Sequence, residues 1–384
     1  MTLHQRLINY KERRNCTLLG VGPMSKNCVD AAVELAEQYK TPLMLIASRR
    51  QIDSEQFGGG YVENWTTKNF ADYVIKKDKN KNIIIARDHG GPWQNELEKS
   101  QKMNLKDAMN SAKDSYKADI DAGFHMLHID PSIDFLAQKP DTDQILERVY
   151  ELYDFCWSYA QKKNQDIIFE IGTEEQSGNN NSKEELEYTL KCMKKFCKNN
   201  KMPFPSFIVI QAGTRVMETK NIGSFESPVR IENELPPEIQ IPQMIEICNK
   251  YGIYMKEHNA DYLSTESLKW QPRLGIHAAN VAPEFGVAET TAFINALKEN
   301  NQTDLLNEFF KISYNSLKWK KWMLKNTDAS DWDRAVIAGH YVFSSDEFIK
   351  LRTEASNTIT NLNCIIKNKV KESILRYIKA FNLK

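Results

Sequence analysis

Three things are scarce in this 384-residue sequence, and each scarcity removes a class of function. Net charge is the first: Lys plus Arg and Asp plus Glu both total 51, so nothing in the balance seeks a polyanion and nucleic acid is not an expected partner. Long apolar runs are the second. No stretch approaches the roughly 20 apolar residues of a membrane span, and the opening Met1-Thr2-Leu3-His4-Gln5-Arg6 lacks the apolar core of an export signal. A cytoplasmic location without membrane attachment is therefore expected. Paired cysteine is the third. The seven copies, Cys16, Cys28, Cys156, Cys192, Cys197, Cys248 and Cys364, are odd in number, scattered and without a C-x-x-C pair, so they read as reduced thiols behaving as small hydrophobes.

What is abundant is a repeated alternation. Hydrophobic residues make up 41% and charged residues 27%, an ordinary globular balance with material for a large core. Short β-branched runs alternate with longer helical patterns, the signature of parallel βα units. Eight such runs can be counted: Thr17–Gly22, Pro42–Ser48, Ile83–His89, His125–Asp130, Ile167–Thr173, Phe207–Gly213, Gly252–His258 and Arg273–Ala279. Most are nearly continuous in Ile, Val, Leu and Met, as strands buried on both faces should be. The pattern predicts an α/β fold, a (β/α)8 TIM barrel over about residues 15–300 with a C-terminal helical extension over about 301–384, the whole forming one domain, 1–384.

A polar residue closes many of these runs: Ser48, Asp88 with His89, Asp130, Glu174, Gln211, His258 and Asn280. In a closed parallel barrel those ends converge on one mouth, where such folds carry their chemistry. His89 and His258 with Glu174 and Gln211 offer two imidazoles, a carboxylate and an amide oxygen, a set that can hold a divalent cation and leave a position open for substrate. Asp88 is the expected proton-transfer group beside it, and Asp130 and Glu174 are further catalytic candidates. The other histidines are weaker candidates. His4 is near a chain end, His125 and His128 lie in the fourth run where successive neighbours face opposite ways, His277 lies in the eighth, and His340 is in a turn.

The connections carry their own signals. Ser182-Lys183-Glu184-Glu185 reads as a capping box that starts a helix. Gly58-Gly59-Gly60 in the connection 51–61, and the segment 212–240 with its few helical signals, are candidate lids over the mouth. Ile359, Leu362, Ile366, Val370, Ile374 and Ile378 line one side of a C-terminal helix, which predicts packing against the barrel wall or, alternatively, a contact between subunits of a homo-oligomer.

Several of these segments resemble one family. Gln56-Phe57-Gly58-Gly59, Asp88-His89 with Gly91-Pro92 and Trp93-Gln94-Asn95, Ala122-Gly123-Phe124, and His128-Ile129-Asp130 with Ser132 are similar to the GatZ/KbaZ family associated with class II tagatose-bisphosphate aldolase. So are Ile171-Gly172-Thr173-Glu174, Val209-Ile210-Gln211 with Gly213, and His258 with Asp261-Tyr262, all in register over about residues 40–350. The resemblance extends to zinc-dependent ketose-bisphosphate aldolases. It implies that Asp88 matches their proton-transfer Asp, that His89 and His258 match two zinc ligands, and that Asn280 resembles the Asn of their eighth-strand phosphate motif.

Two departures qualify what is implied. Gln211 stands where the aldolases have a third histidine, which weakens zinc and makes Mn2+ or Mg2+ plausible if Glu174 also binds. Asn259-Ala260-Asp261 replaces the glycine- and serine-rich run that cradles phosphate, so phosphate is expected at Ser264, Thr265, Asn280 or Arg334 instead. Substrate contacts are expected from Ser48, Gln56, Gly58, Gly59, Asn280, Asp261 and Arg334. The implied function is metal-dependent aldol or retro-aldol chemistry on a phosphorylated or nucleotide-linked sugar, as a ketose-phosphate 4-epimerase or an aldolase. The alternative is a non-catalytic subunit that stabilises a class II aldolase.

Overall fold

A computed structural model describes residues 3–135, 140–173, 182–223, 225–226 and 236–384. Eight parallel strands close into a barrel: β1 (Leu18–Val21), β2 (Leu43–Ser48), β3 (Ile83–Gly90), β4 (Met126–Ile129), β5 (Ile168–Ile171), β6 (Phe207–Val209), β7 (Tyr254–Glu257) and β8 (Ala278–Val281). Each pairs with its neighbour in sequence, and β8 closes on β1 with Gly20 opposite Asn280. Helices follow the strands on the outside, from Lys26–Tyr39 after β1 to Pro283–Glu299 after β8, and cover the outer face of the apolar strands, while the strands' own inward side chains fill the barrel. A small antiparallel hairpin, Val216–Met217 with Lys220–Asn221, follows β6. No helix among the described residues is long and apolar enough to cross a membrane.

The eighth strand corrects its expected span. Residues Arg273 and Leu274, expected in the strand, end the helix Thr265–Leu274, which a left-handed Gly275 terminates. The strand is instead Ala278-Ala279-Asn280-Val281, whose small residues carry little of the β-branched signal that marks the other seven. The expected capping box is present, with Ser182 accepting from the Glu185 N–H. The helix Leu362–Ala380 packs on the helices Lys26–Tyr39 and Pro283–Glu299, with Lys367 and Lys371 bound to Glu34. Of the expected apolar stripe, Val370, Ile374 and Ile378 join the core of the barrel wall, whereas Ile359, Leu362 and Ile366 pack within the extension.

The extension also builds a core of its own, in which Phe293 meets Phe309 and Phe348 at centroid distances of 5.5 and 5.3 Å. It then returns to the mouth. The Ser344 hydroxyl accepts from the Glu63 N–H and donates to the Tyr61 carbonyl (2.7 and 2.8 Å), and the Trp322 carbonyl accepts from the Glu218 N–H at 2.8 Å. These bonds seat Lys321, Trp322 and Tyr341 over the C-terminal ends of the strands.

Candidate active site

Strand geometry dictates which side chains enter the barrel. Side chains alternate along a strand, so in β4 and β5 the positions of His128 and Glu170 share one face while Leu127 and Phe169 take the other. His128 Nδ1 lies 3.7 Å from Asp88 Oδ1 and 3.8 Å from Glu170 Oε1. In β7 the same alternation sends Lys256 inward, its Nζ 2.6 Å from Glu170 Oε2, and turns Glu257 outward to Gln271. Arg87 likewise faces out to Asp119 while Asp88 faces in.

His89 breaks the rule, and the break is visible in the backbone. Its φ of +45° is left-handed, and the pairing of β3 with β4 shifts register between Arg87 and Gly90. A left-handed conformation at a side chain other than glycine is strained and tends to sit where function requires it. Here it brings the imidazole to the mouth, where Nδ1 is 2.6 Å from Asp130 Oδ2 and Nε2 is 3.1 Å from His258 Nδ1. The other ring nitrogen of His258 faces Glu170 Oε1 and the Asn280 amide, both at 3.1 Å. His258 is therefore shared by two clusters, an outer one with His89 and an inner one with Asp88, His128 and Glu170.

Two overlapping groups of donors suit a cation, one containing His258 and the other containing His89, with His128 common to both. Asp88, His128, Glu170 and His258 are buried and offer ligand atoms within 4.8 Å of one another, as do His89, His128 and Asp130. Two ligands of one ion at roughly 2 Å each cannot be more than about 4 Å apart, and the 3.1 Å between the His89 and His258 nitrogens satisfies this. The inner donors are already engaged with each other. Glu170 is tied to Lys256, His128 Nδ1 accepts the His89 backbone N–H, and Asp88 accepts from Asn280. His89, Asp88 and His258 also line the open cavity, whereas His128, Glu170 and Lys256 are not part of its wall.

The electrostatics separate the groups. Burial alone would raise Asp88, but His89, His258 and His128 hold it well below the usual carboxylate range. Burial would lower His89, yet Asp88 and the hydrogen-bonded Asp130 push it up to about 9. For His258 burial prevails and takes it down to about 4. Burial would raise Glu170 too, but Lys256 and His128 hold it at about 2. The mouth is thus a set of ionised carboxylates around largely buried imidazoles, an environment in which a bound cation or a developing charge is strongly felt.

The expected site residues divide clearly. A cavity of about 320 Å³ is lined by Asp88, His89, Asp130, His258 and Asn280, with Ser48 and Asp261 also in its wall. Gln211 is buried just past β6 and is not part of that wall, and Glu174 lies outside the described residues. Gln56, Gly58, Gly59 and Arg334 are not brought to the cavity. The Gln56 amide reaches Asp114 instead, and Gly58 and Gly59, at φ +79° and +72°, serve a tight turn after residues Glu55–Phe57. Arg334 is paired with Asp331 and lies over Trp319. Ser264 caps its helix by accepting from the Ser267 N–H, and its own N–H goes to Glu226. His128, ranked among the weaker candidates, and Glu170 and Lys256, not singled out at all, are at the centre. A charged residue inside an apolar barrel strand was the signal for the last two.

A (β/α)8 barrel with these groups at its mouth is of the aldolase type in fold. A profile of the family described as D-tagatose-1,6-bisphosphate aldolase subunit GatZ/KbaZ-like matches residues 3–216, more than half of the chain, and the protein belongs to that family. Among solved structures, a probable tagatose 6 phosphate kinase from Sinorhizobium meliloti 1021 is similar with a TM-score of 0.70 at 16% identity, over 95% of this chain and 100% of that one. The YdjI aldolase from Escherichia coli K12 aligns over 100% of this chain and 97% of its own with a TM-score of 0.53 at 13% identity. A fructose-bisphosphate aldolase from Campylobacter jejuni gives 0.54 at 13%, over 99% and 93%. At such identities the likeness is one of fold.

Proposed function

We propose that the protein is a cytoplasmic, metal-dependent enzyme that makes or breaks a carbon–carbon bond in a ketose phosphate, as a 4-epimerase or an aldolase. The observation that carries this reading is the convergence of His89, His258, Asp88 and Asp130 on one cavity. The cation, Zn2+ or one of the harder ions Mn2+ and Mg2+, would be held by His89 Nε2 and His258 Nδ1 on the open side of the cluster, because catalytic sites need a position that substrate can reach. Asp130 fixes the His89 ring through Nδ1, the kind of orienting partner that metal-ligating histidines use.

A bound divalent cation supplies Lewis-acid polarisation of the ketose carbonyl. Asp88, kept ionised by the imidazoles, then takes the proton from the hydroxyl on carbon 4 as the bond between carbons 3 and 4 breaks and its electron pair moves toward the carbonyl. Re-forming the bond on the other face of the aldehyde, with the proton returned from Asp88 to the oxygen on carbon 4, gives the 4-epimer; release of the aldehyde with protonation of carbon 3 gives an aldolase. Trp322 and Tyr341 over the cavity limit the water that could intercept the intermediate.

The test is elemental analysis of the purified chain, with product screening on fructose 6-phosphate and tagatose 6-phosphate in the presence of Mn2+, Zn2+ or Mg2+. His89→Ala should lose metal and turnover, and Asp88→Asn should keep metal while losing roughly a hundredfold in turnover. Glu170→Gln should keep its metal; if it loses metal while His89→Ala retains it, the cation belongs to the inner cluster. The word "subunit" in the family's description favours a second reading, a stabilising partner of a class II aldolase. That reading predicts silence with every metal and a tight aldolase complex that survives His89→Ala.

A further inference from the structure

In barrels of this kind the N-terminus of the helix after β8 is a natural seat for an anion, because free N–H groups point out of it. Here the chain fills that seat itself. Asp261 Oδ1 accepts from the N–H groups of Ala282 and Glu284, both at 2.9 Å, and Pro283 between them has no N–H. Glu284 adds a second carboxylate, which accepts from the Tyr262 N–H. A phosphate arriving there would meet two acids and would find the Ala282 and Glu284 N–H groups already taken. The neighbouring cap at Ser264 is also occupied, by the Glu226 and Ser267 bonds.

Cations are found at another part of the same cavity. Arg50, two residues past β2, and Lys321, from the extension, both line it together with Tyr61, Trp322 and Tyr341. Lys321 Nζ lies 4.8 Å from the Trp322 ring centre and 5.0 Å from that of Tyr341, and among the described residues no carboxylate is within salt-bridge distance of it. Arg50 Nε is buried without a hydrogen bond; its ion pair at 3.1 Å is to Glu96, a largely exposed carboxylate. Desolvation of the ammonium, then the charge of Arg50 with those of Lys318 and Lys99, pushes Lys321 down to about 7 against the pull of Glu96. Crowded cations with spare donors gain from an anion more than exposed ones do.

We propose that Arg50 and Lys321 form the subsite for the anionic terminus, a phosphate or a carboxylate, of an open-chain sugar whose other end lies against His89 and His258. The inference rests on the reading of this mouth as a sugar-processing site, and it moves the anion from the β8 helix to a cationic pair half supplied by the C-terminal extension. The ligand then spans a cavity of about 320 Å³, within the size range of small-molecule sites.

The test is calorimetric binding to the metal-loaded protein of three probes: fructose, fructose 6-phosphate and fructuronate. An anionic probe should bind at least about tenfold more tightly than fructose, the worth of one charge-assisted hydrogen bond. Lys321→Met and Arg50→Gln should each remove most of that advantage and leave fructose binding unchanged; Lys321→Gln serves if the methionine variant does not fold. Whichever anion gains identifies the terminal group. The proposal is overturned if no probe binds, if fructose binds as tightly as both anions, or if the anions bind the variants as they bind the parent. Anion binding that depends on Lys321 without turnover would uphold the subsite and sink the enzymatic reading instead.

Discussion

The two ends of the barrel use histidine in opposite ways. At the N-terminal end, His125 and His277 stand one residue before β4 and β8, and each Nδ1 accepts a backbone N–H from a neighbouring strand, of Ile85 at 3.0 Å and of Met255 at 3.1 Å. Burial lowers both, His277 to about 3, so they are neutral acceptors that extend the sheet's hydrogen bonding by one rung. At the C-terminal end, His89 and His258 face carboxylates and each other. The side chain is the same. What differs is the surrounding charge: Asp88, Asp130 and Glu170 against Lys256 at the mouth, and at the other end one charge apiece, Asp78 acting on His125 and Lys11 on His277, neither of which overcomes burial. A neutral imidazole satisfies one N–H; an imidazole among carboxylates is a place for a proton or a metal ion.

The largest effect that could break this comparison comes from exchanging the two kinds of histidine. His258→Ala should bring metal content to background and lower any turnover by at least roughly a hundredfold, since even the outer partners of a metal act on that scale. His277→Gln should keep its metal and turnover and cost about 1 kcal/mol, the worth of one buried hydrogen bond. Equal metal loss in the two variants would mean that the mouth is not special.

Much of this contrast was legible in the residues and some was not. Seven strands announce themselves as apolar runs, and Asp88, His89, His258 and Asn280 fall at strand ends that must converge once the barrel closes. His128 and Glu170 were within reach of the two-residue period, because a polar side chain in the middle of an apolar strand must point either into the barrel or into the helix layer, and each choice has consequences for burial. The turn of His89 was not legible, since it depends on a left-handed residue at a register shift. Nor was the neighbourhood of Arg50 and Lys321. These residues are far apart in sequence, and only the folding of the extension over the mouth brings them to one cavity.

An effect on stability, not on turnover, separates the buried charges of the mouth from its metal chemistry. Lys256 and Glu170 are each 1% exposed, and their pair closes the inner cluster from below. Lys256→Met leaves the Glu170 carboxylate buried without its cation and with only imidazole neighbours, at a cost of about 3–5 kcal/mol, whereas adding Glu170→Leu removes the stranded charge and should restore most of the loss. Urea unfolding of the two variants measures this. If the double variant is no more stable than the single one, the pair's role is not electrostatic.

The smallest effect is in the pH dependence of stability, and it tests the neutral histidines. His277 binds a proton near its ordinary value of 6.5 when unfolded and only near about 3 when folded, because burial and then Lys11 oppose the charge. The unfolded chain therefore takes up protons first, and the His277 contribution, fully present above about pH 6.5, drains away as pH falls toward 3. At pH 5 the loss is at most about 2 kcal/mol for this one group. His277→Gln cannot titrate, so the parent's advantage at pH 7 should shrink and then reverse as the solution is acidified. Unfolding midpoints of parent and variant measured at intervals from pH 7 to pH 4 would show two curves that cross. Parallel curves would mean that His277 is protonated in the folded state, and with that the distinction between an acceptor at one end of the barrel and a charged cluster at the other would be lost.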